Sequence, residues 1–271
     1  MVDAISGAEG PAPVVPSPDG GAVTRPAPAL DARRVVVIGG GCYGSYYARQ
    51  LARAWRAGAA RVDDVVVVDR DPDCRVAAAL AAGAYGTLPI RLVVDDWDRF
   101  LDGWWALGPG PLARDLFVPS PLMPHVCFDW LLARARARWP HRRVGIRSLD
   151  GAPPVPWQRS APDRRHYVSF AEWTCPVNCI EPVRCPHTRG VRDWSLPRTI
   201  AAWADGGDGR FAAPAIIFQC VHRTYGVGMI DADAVAAADE RIASLGDRGP
   251  FAVLVGTVSH CHGALAVLAV D

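Results

Sequence analysis

Short runs of β-branched residues alternate with longer stretches of helical periodicity through the middle of the chain. Residues 35–38 (V-V-V-I), 65–68 (V-V-V-V), 90–94 and 116–118 read as strands, the last closed by Pro119, Ser120 and Pro121. Residues 45–57, 72–82 and 124–139 read as helices, the third opened by a proline. A fifth strand is expected at 144–146. Continuous apolar strands separated by helices predict a parallel, doubly wound α/β sheet with right-handed crossovers, and ligands gather at the carboxyl ends of such strands. Residues 151–162 shift to proline and polar residues, as a linker does. Beyond them, 215–219 and 251–255 read as strands and 232–244 as a helix, a smaller C-terminal α/β segment. Residues 1–31 hold six prolines and no periodicity, the pattern of a disordered tail. The expected organisation is therefore a tail at 1–31, a nucleotide-binding unit at 32–150 and a Cys/His-rich segment at 151–271 packed on it.

The first strand runs straight into G-G-G-C-Y-G. Gly39, Gly41 and Gly44 fit G-x-G-x-x-G: the first takes the tight turn, the second lets a pyrophosphate approach the backbone, and the third lets helix and strand pack closely. The helix that follows offers free N–H groups and the positive end of its dipole to phosphate oxygens. The second strand ends in Asp69, 25 residues beyond Gly44, where a carboxylate would accept hydrogen bonds from an adenosine ribose. Over about residues 33–95, V-V-V-I-G-G-G-C-Y-G together with V-V-V-V-D-R-D resembles Rossmann NAD(P)-binding domains, most of all the potassium-uptake regulator (TrkA-N) and saccharopine-dehydrogenase types. The resemblance implies a dinucleotide held by Gly39, Gly40, Gly41, Cys42, Tyr43, Gly44, Asp69 and Arg70. Asp69 suggests NAD, and Arg70 beside it would meet a 2′-phosphate, so NADP stays open. Flavin proteins share the loop but usually need a longer chain and a second signature. Methyltransferases usually carry an acid just before the loop, where this chain has Val36 to Ile38.

Composition narrows the chemistry. All 29 basic residues are arginine, and the formal charge is +1. No bulk field recruits nucleic acid. With no lysine there is no Walker A loop, Schiff base or Tyr-x-x-x-Lys pair, so proton transfer falls to His, Asp, Glu, Tyr or Cys. Arg134, Arg136 and Arg138 are expected in a solvated last helical turn. No apolar run is long enough for a membrane span. The start of the chain lacks the pattern of an export signal, which predicts a cytoplasmic, reducing setting in which clustered cysteines point to metal.

Residues 174–189, T-C-P-V-N-C-I-E-P-V-R-C-P-H-T-R, hold that cluster. Cys175, Cys179 and Cys185 fall within eleven residues, and the prolines favour turns that aim side chains at one point. C-P-V-N-C-I resembles the end of a bacterial ferredoxin motif, without the C-x2-C-x2-C that should precede it. Cys220, followed by His222, is the leading fourth ligand; His260, Cys261 and His262, also at the end of a strand, are the others. Their convergence requires the two strands to point the same way. Zinc and an iron–sulfur cluster both suit such a set, and a redox thiol switch or plain loop cysteines are the competing readings. Cys42, Cys74 and Cys127 read as packing residues, His125 as a helix cap or an acid/base, and His141 and His166 as surface.

These readings combine into an NAD(P)-binding oxidoreductase with an iron–sulfur or zinc site at Cys175, Cys179, Cys185 and Cys220, and His260 or His262 as proton carrier. The alternative is a non-enzymatic dinucleotide sensor of the TrkA-N type. The expected partners are the dinucleotide and a small-molecule substrate or redox partner, with neither nucleic acid nor membrane; a homodimer stays open.

Overall fold

A computed structural model describes residues 30–175, 179–206 and 209–271. The expected tail lies outside the described residues except for its last two positions. Those belong to a strand: Leu30 is buried and pairs with Ala60.

The elements run β1 (Leu30–Ile38), α1 (Cys42–Arg56), β2 (Ala60–Asp69), α2 (Arg75–Ala81) and β3 (Ile90–Val94). Next come α3 (Trp97–Trp105), α4 (Pro109–Leu112), β4 (Asp115–Val118), α5 (Val126–Arg138) and β5 (Val144–Arg147). They continue with β6 (Trp157–Ser160), β7 (His166–Ser169), α6 (Leu196–Ala204), β8 (Ile216–Gln219) and β9 (Val221–Thr224). The chain closes with β10 (Val227–Asp231), α7 (Ala232–Gly246), β11 (Phe251–Val258) and β12 (His262–Val270).

Two mixed sheets form. The first has the order β3-β2-β1-β4-β10-β9; β1 to β4 are parallel, whereas β10 and β9 add antiparallel. The second has the order β6-β7-β12-β11-β8, with β5 also on β12, and only β8 and β11 are parallel. The wholly parallel sheet expected from the strand–helix alternation is therefore confined to the first four strands. The expected fifth strand, β5, crosses to the second sheet and lies antiparallel on β12. The cause lies in α5, which buries Val126, Cys127, Phe128, Trp130, Leu131 and Leu132 all round its first turns. A helix apolar on every side is wedged between two layers rather than laid on one sheet. The chain thus leaves α5 beside the second sheet, and β9, β10 and α7 return to complete the first. Neither sheet stops at residue 150.

The cores show the layering. Val35, Val37, Val65 and Val67 pack against α1 and α2, while Val36, Ile38, Val66 and Val68 face α3, α5 and α7. That middle layer meets Phe251, Val253 and Val255 of the second sheet, whose other face, with Ala252 and Leu254, packs on α6. Each fully buried valine or leucine contributes roughly 1.5–3 kcal/mol, and strands covered on both faces need no polar alternation. Arg134 and Arg138 do not end in solvent as expected. One helical turn apart, they reach Asp239 on α7 at 3.2 and 2.8 Å and tie the two middle helices together. His166, expected at the surface, is buried between Ser160 and Gln158.

No helix among the described residues is long and apolar enough to cross a membrane.

Candidate functional site

The glycine loop is built backbone on backbone. Gly39 has φ +85°, which glycine tolerates without strain, and its N–H reaches the Val68 carbonyl at 2.8 Å. The buried Gly40 donates its N–H to Asp69 Oδ2 at 2.6 Å, and a Cβ there would lie 2.3 Å from the Cys74 sulfur. At Gly44 a Cβ would come within 1.6 Å of the Gly39 carbonyl oxygen, so α1 sits against the turn only because that position is bare. Gly41 differs: a Cβ there would meet nothing within 4 Å. It is the N-cap of α1, which has no side-chain cap and no acid in its first turn. Asp69 also accepts the Asp71 N–H at 2.9 Å, Cys42 is exposed, and Arg70 is exposed.

Beyond the carboxyl end of β4 lie two cavities of about 620 and 390 Å³. Tyr47 of α1, Pro121, Cys220, His222, Ser259 and His262 line both. The larger adds Cys175, Cys179, Glu181 and Cys261; the smaller adds Pro119, Ser120, Tyr167 and a floor of Gly226, Gly228 and Gly263. Both sit at the seam between the sheets. β8 in the second sheet ends at Gln219 and β9 in the first begins at Val221, so Cys220 alone spans the crossing. Because β8 and β11 are parallel neighbours, their ends converge as the ligand reading required, with the Cys220 N–H on the Val258 carbonyl at 2.8 Å. Gly228 makes room for that thiol: a Cβ there would fall 2.6 Å from the Cys220 sulfur.

The turn from Ser259 to His262 is pinned from several directions. Glu181, buried and at φ +50°, accepts the Ser259 hydroxyl at 2.5 Å, the His260 N–H at 3.0 Å and the Cys261 N–H at 3.1 Å. Burial pushes the Glu181 carboxyl up, but the Ser259 and His260 hydrogen bonds outweigh it and hold it below the usual carboxylate range. Phe170 and Leu196 donate N–H groups to the carbonyls of Cys261 and His260. Ser169 donates its hydroxyl proton to the Ala171 carbonyl at 2.7 Å, so the 2.9 Å contact to His262 Nδ1 requires that nitrogen to carry the proton. Nε2 of His262 is then the lone-pair nitrogen. Burial lowers the pKa of His262 and of His222 and favours their neutral forms. It raises the thiols of Cys220 to about 12 and Cys261 to about 11.

The expected site residues divide accordingly. Cys175, Cys179, Cys220 and His262 share the larger cavity, together with Cys261 and His222 from the wider set of candidates. Cys185 does not line it; its sulfur instead takes the N–H groups of Thr188 and His187, which lower its pKa. His260 lines neither cavity, and its Nδ1 is buried without a partner among the described residues. His125 is the N-cap of α5 but makes no side-chain cap bond; its ring packs on Tyr167, and burial lowers its pKa to about 4. Glu181 and Tyr47 were not legible as site residues. The only trace of Glu181 was its place between two cysteines. Among the described residues, no group of three or more His, Cys, Asp or Glu stands arranged as ligands of a metal ion.

No curated protein and no solved structure matches the chain. Residues 127–271 match the model of the AF_1314_C family, described as "Uncharacterized protein, C-terminal domain". The match begins in α5 and takes in the whole second sheet and every cavity-lining cysteine and histidine, whereas the glycine loop precedes it. It covers more than half of the sequence, and the protein belongs to the AF_1314_C family.

Proposed function

We propose that the protein is an NAD(P)-dependent oxidoreductase whose reaction chamber is the smaller cavity beyond β4. One observation carries the reading: the helix opened by the bare Gly41 brings Tyr47 into the wall of both cavities. The order β3-β2-β1-β4, all parallel, is that of a Rossmann half, with its crevice outside the carboxyl ends of β1 and β4. The residues fit the cofactor. Gly41 leaves open space where a diphosphate would approach, and the first turn of α1 presents N–H groups without a competing side-chain cap. Each Asp69 oxygen that holds a backbone N–H keeps a second lone pair for a ribose hydroxyl, while the exposed Arg70 beside it would meet a 2′-phosphate. When bound, the nicotinamide supplies hydride donation or acceptance. His262, held in one tautomer by Ser169, lines the cavity and would offer Nε2 as the proton acceptor.

Calorimetry with NAD⁺, NADH, NADP⁺ and NADPH tests the reading. Binding of one pair is expected, with loss in Gly41→Val, whose Cβ would meet nothing within 4 Å. No heat with any of the four, or unaltered binding by Gly41→Val, overturns it. Tight binding without nicotinamide turnover across a substrate panel would favour the second reading, a sensor, which the TrkA-N resemblance of the loop supports.

A further inference from the structure

The larger cavity has a lining that calls for a cation. Cys175, Cys179, Cys220 and Cys261 face it with His222, His262 and the carboxylates of Glu172 and Glu181. No arginine is among its lining residues, in a chain with 29 of them. Elsewhere the carboxylates meet guanidinium groups, as Asp115 meets Arg33 and Asp239 meets Arg134. Here Glu181 meets the His222 imidazole, at 3.7 Å, and Arg223 and Arg192 act on the Cys220 and Cys261 thiols from outside the lining.

The thiols also come from three separate stretches. Cys220 is held by the Val258 carbonyl and given room by Gly228. Cys261 lies in the turn gripped by Glu181 and receives the Trp194 indole N–H at 3.3 Å. Cys175 and Cys179 flank Pro176, Val177 and Asn178, and Glu181 anchors their stretch two residues later. All eight cysteines are free thiols.

We propose that this cavity is a thiolate metal centre, with Cys175, Cys179, Cys220 and Cys261 as ligands of an iron–sulfur cluster. Four cysteines are the ligand count of such clusters. A lone zinc ion, with bonds of about 2.3 Å to sulfur, needs its ligands gathered round one point, and among the described residues no three stand so; a cluster reaches more widely spaced thiols. The assignment keeps Cys175, Cys179 and Cys220 from the set suggested by spacing and adds Cys261; Cys185, near enough to Cys175 to join burial and Cys179 in pushing that thiol up, does not line the cavity. It shares Cys220 with the wall of the smaller cavity, but none of the four thiols belongs to the glycine loop, so iron and nucleotide binding are read separately.

The full chain, purified without oxygen, is assayed for iron, acid-labile sulfide and zinc, and its visible spectrum is recorded before and after dithionite. Iron and sulfide in matching amounts are expected, with broad absorbance that bleaches on reduction. Cys175→Ser, Cys179→Ser, Cys220→Ser and Cys261→Ser should each lose the iron and the colour, while Cys185→Ser, Cys74→Ser and Gly41→Val keep both. A second measurement covers variants that fail to fold: in the native protein, alkylation should spare those four thiols until a chelator is added. The proposal is overturned by a colourless chain that takes up no iron when supplied with ferrous iron and sulfide, or by zinc without sulfide. A disulfide mapped between Cys175 and Cys179 in the metal-free protein also overturns it. So does loss of iron in Cys185→Ser with retention in Cys261→Ser. Intact iron together with failed nucleotide binding would sink only the dinucleotide reading.

Discussion

The glycine loop and the Ser259–His262 turn both follow a buried strand, yet they are made differently. The first is local: Gly39, Gly40, Gly41 and Gly44 are shaped by one another, by Cys74 and by Asp69. The second is held from outside, by Glu181, Phe170, Leu196 and Ser169, all distant in sequence. A local device withstands changes elsewhere but not within itself. A pinned turn tolerates changes in its own side chains but fails when its anchors go.

The strongest break of that contrast is Gly44→Ala. Its methyl would enter the Gly39 carbonyl, so a loss of about 3 kcal/mol or more is expected in denaturant unfolding. Gly41→Ala, three residues away, should stay within about 1 kcal/mol of the parent. Equal losses at the two positions would show that the loop is not shaped by its own close contacts. Glu181→Gln is next. An amide in place of the carboxylate turns an N–H donor toward another N–H, for an expected cost of roughly 2–3 kcal/mol. Faster hydrogen exchange at the His260 and Cys261 amides should accompany it; unchanged exchange would mean the turn holds without its anchor. Gly228→Ala would press on the Cys220 sulfur and should cost about 1–2 kcal/mol, with a larger fall in bound iron than in melting temperature. The smallest effect concerns a purely local feature of the first half. Asp96 caps α3 by accepting the Asp98 and Arg99 N–H groups at 3.0 and 3.4 Å, and Asp96→Ala should remove about 1 kcal/mol while leaving iron untouched.

What could be read in advance follows the same division. The strands at 35–38, 65–68, 90–94 and 116–118 stood out because each is a β-branched run next to a turn, and β1 to β4 form there. β12 was missed although it pairs along the whole of β11. Its alanine-rich stretch A-L-A-V-L-A-V is buried on both faces, so no alternation marks it, and alanine weakens any strand signal. β9 and β10 were missed because Cys220, His222, Arg223 and Gly228 make a polar, glycine-broken stretch whose order comes from the neighbouring sheet. Cys175, Cys179 and Cys220 were legible as a group by chemistry, and the parallel pairing of β8 with β11 met the condition set for their convergence. Cys185 was grouped with Cys175 by proximity in sequence; it lies near enough to join burial and Cys179 in pushing that thiol up but does not line the cavity. Nothing near Glu181 in sequence could reveal its partners 78 to 80 residues away.

The passage of the chain through Cys220 has a mechanical consequence. With a single residue between β8 and β9, a tug on that sulfur is transmitted to strands on both sides at once. Anything gripping the thiol from within the cavity would act as a rivet, and its release would let the two halves breathe independently.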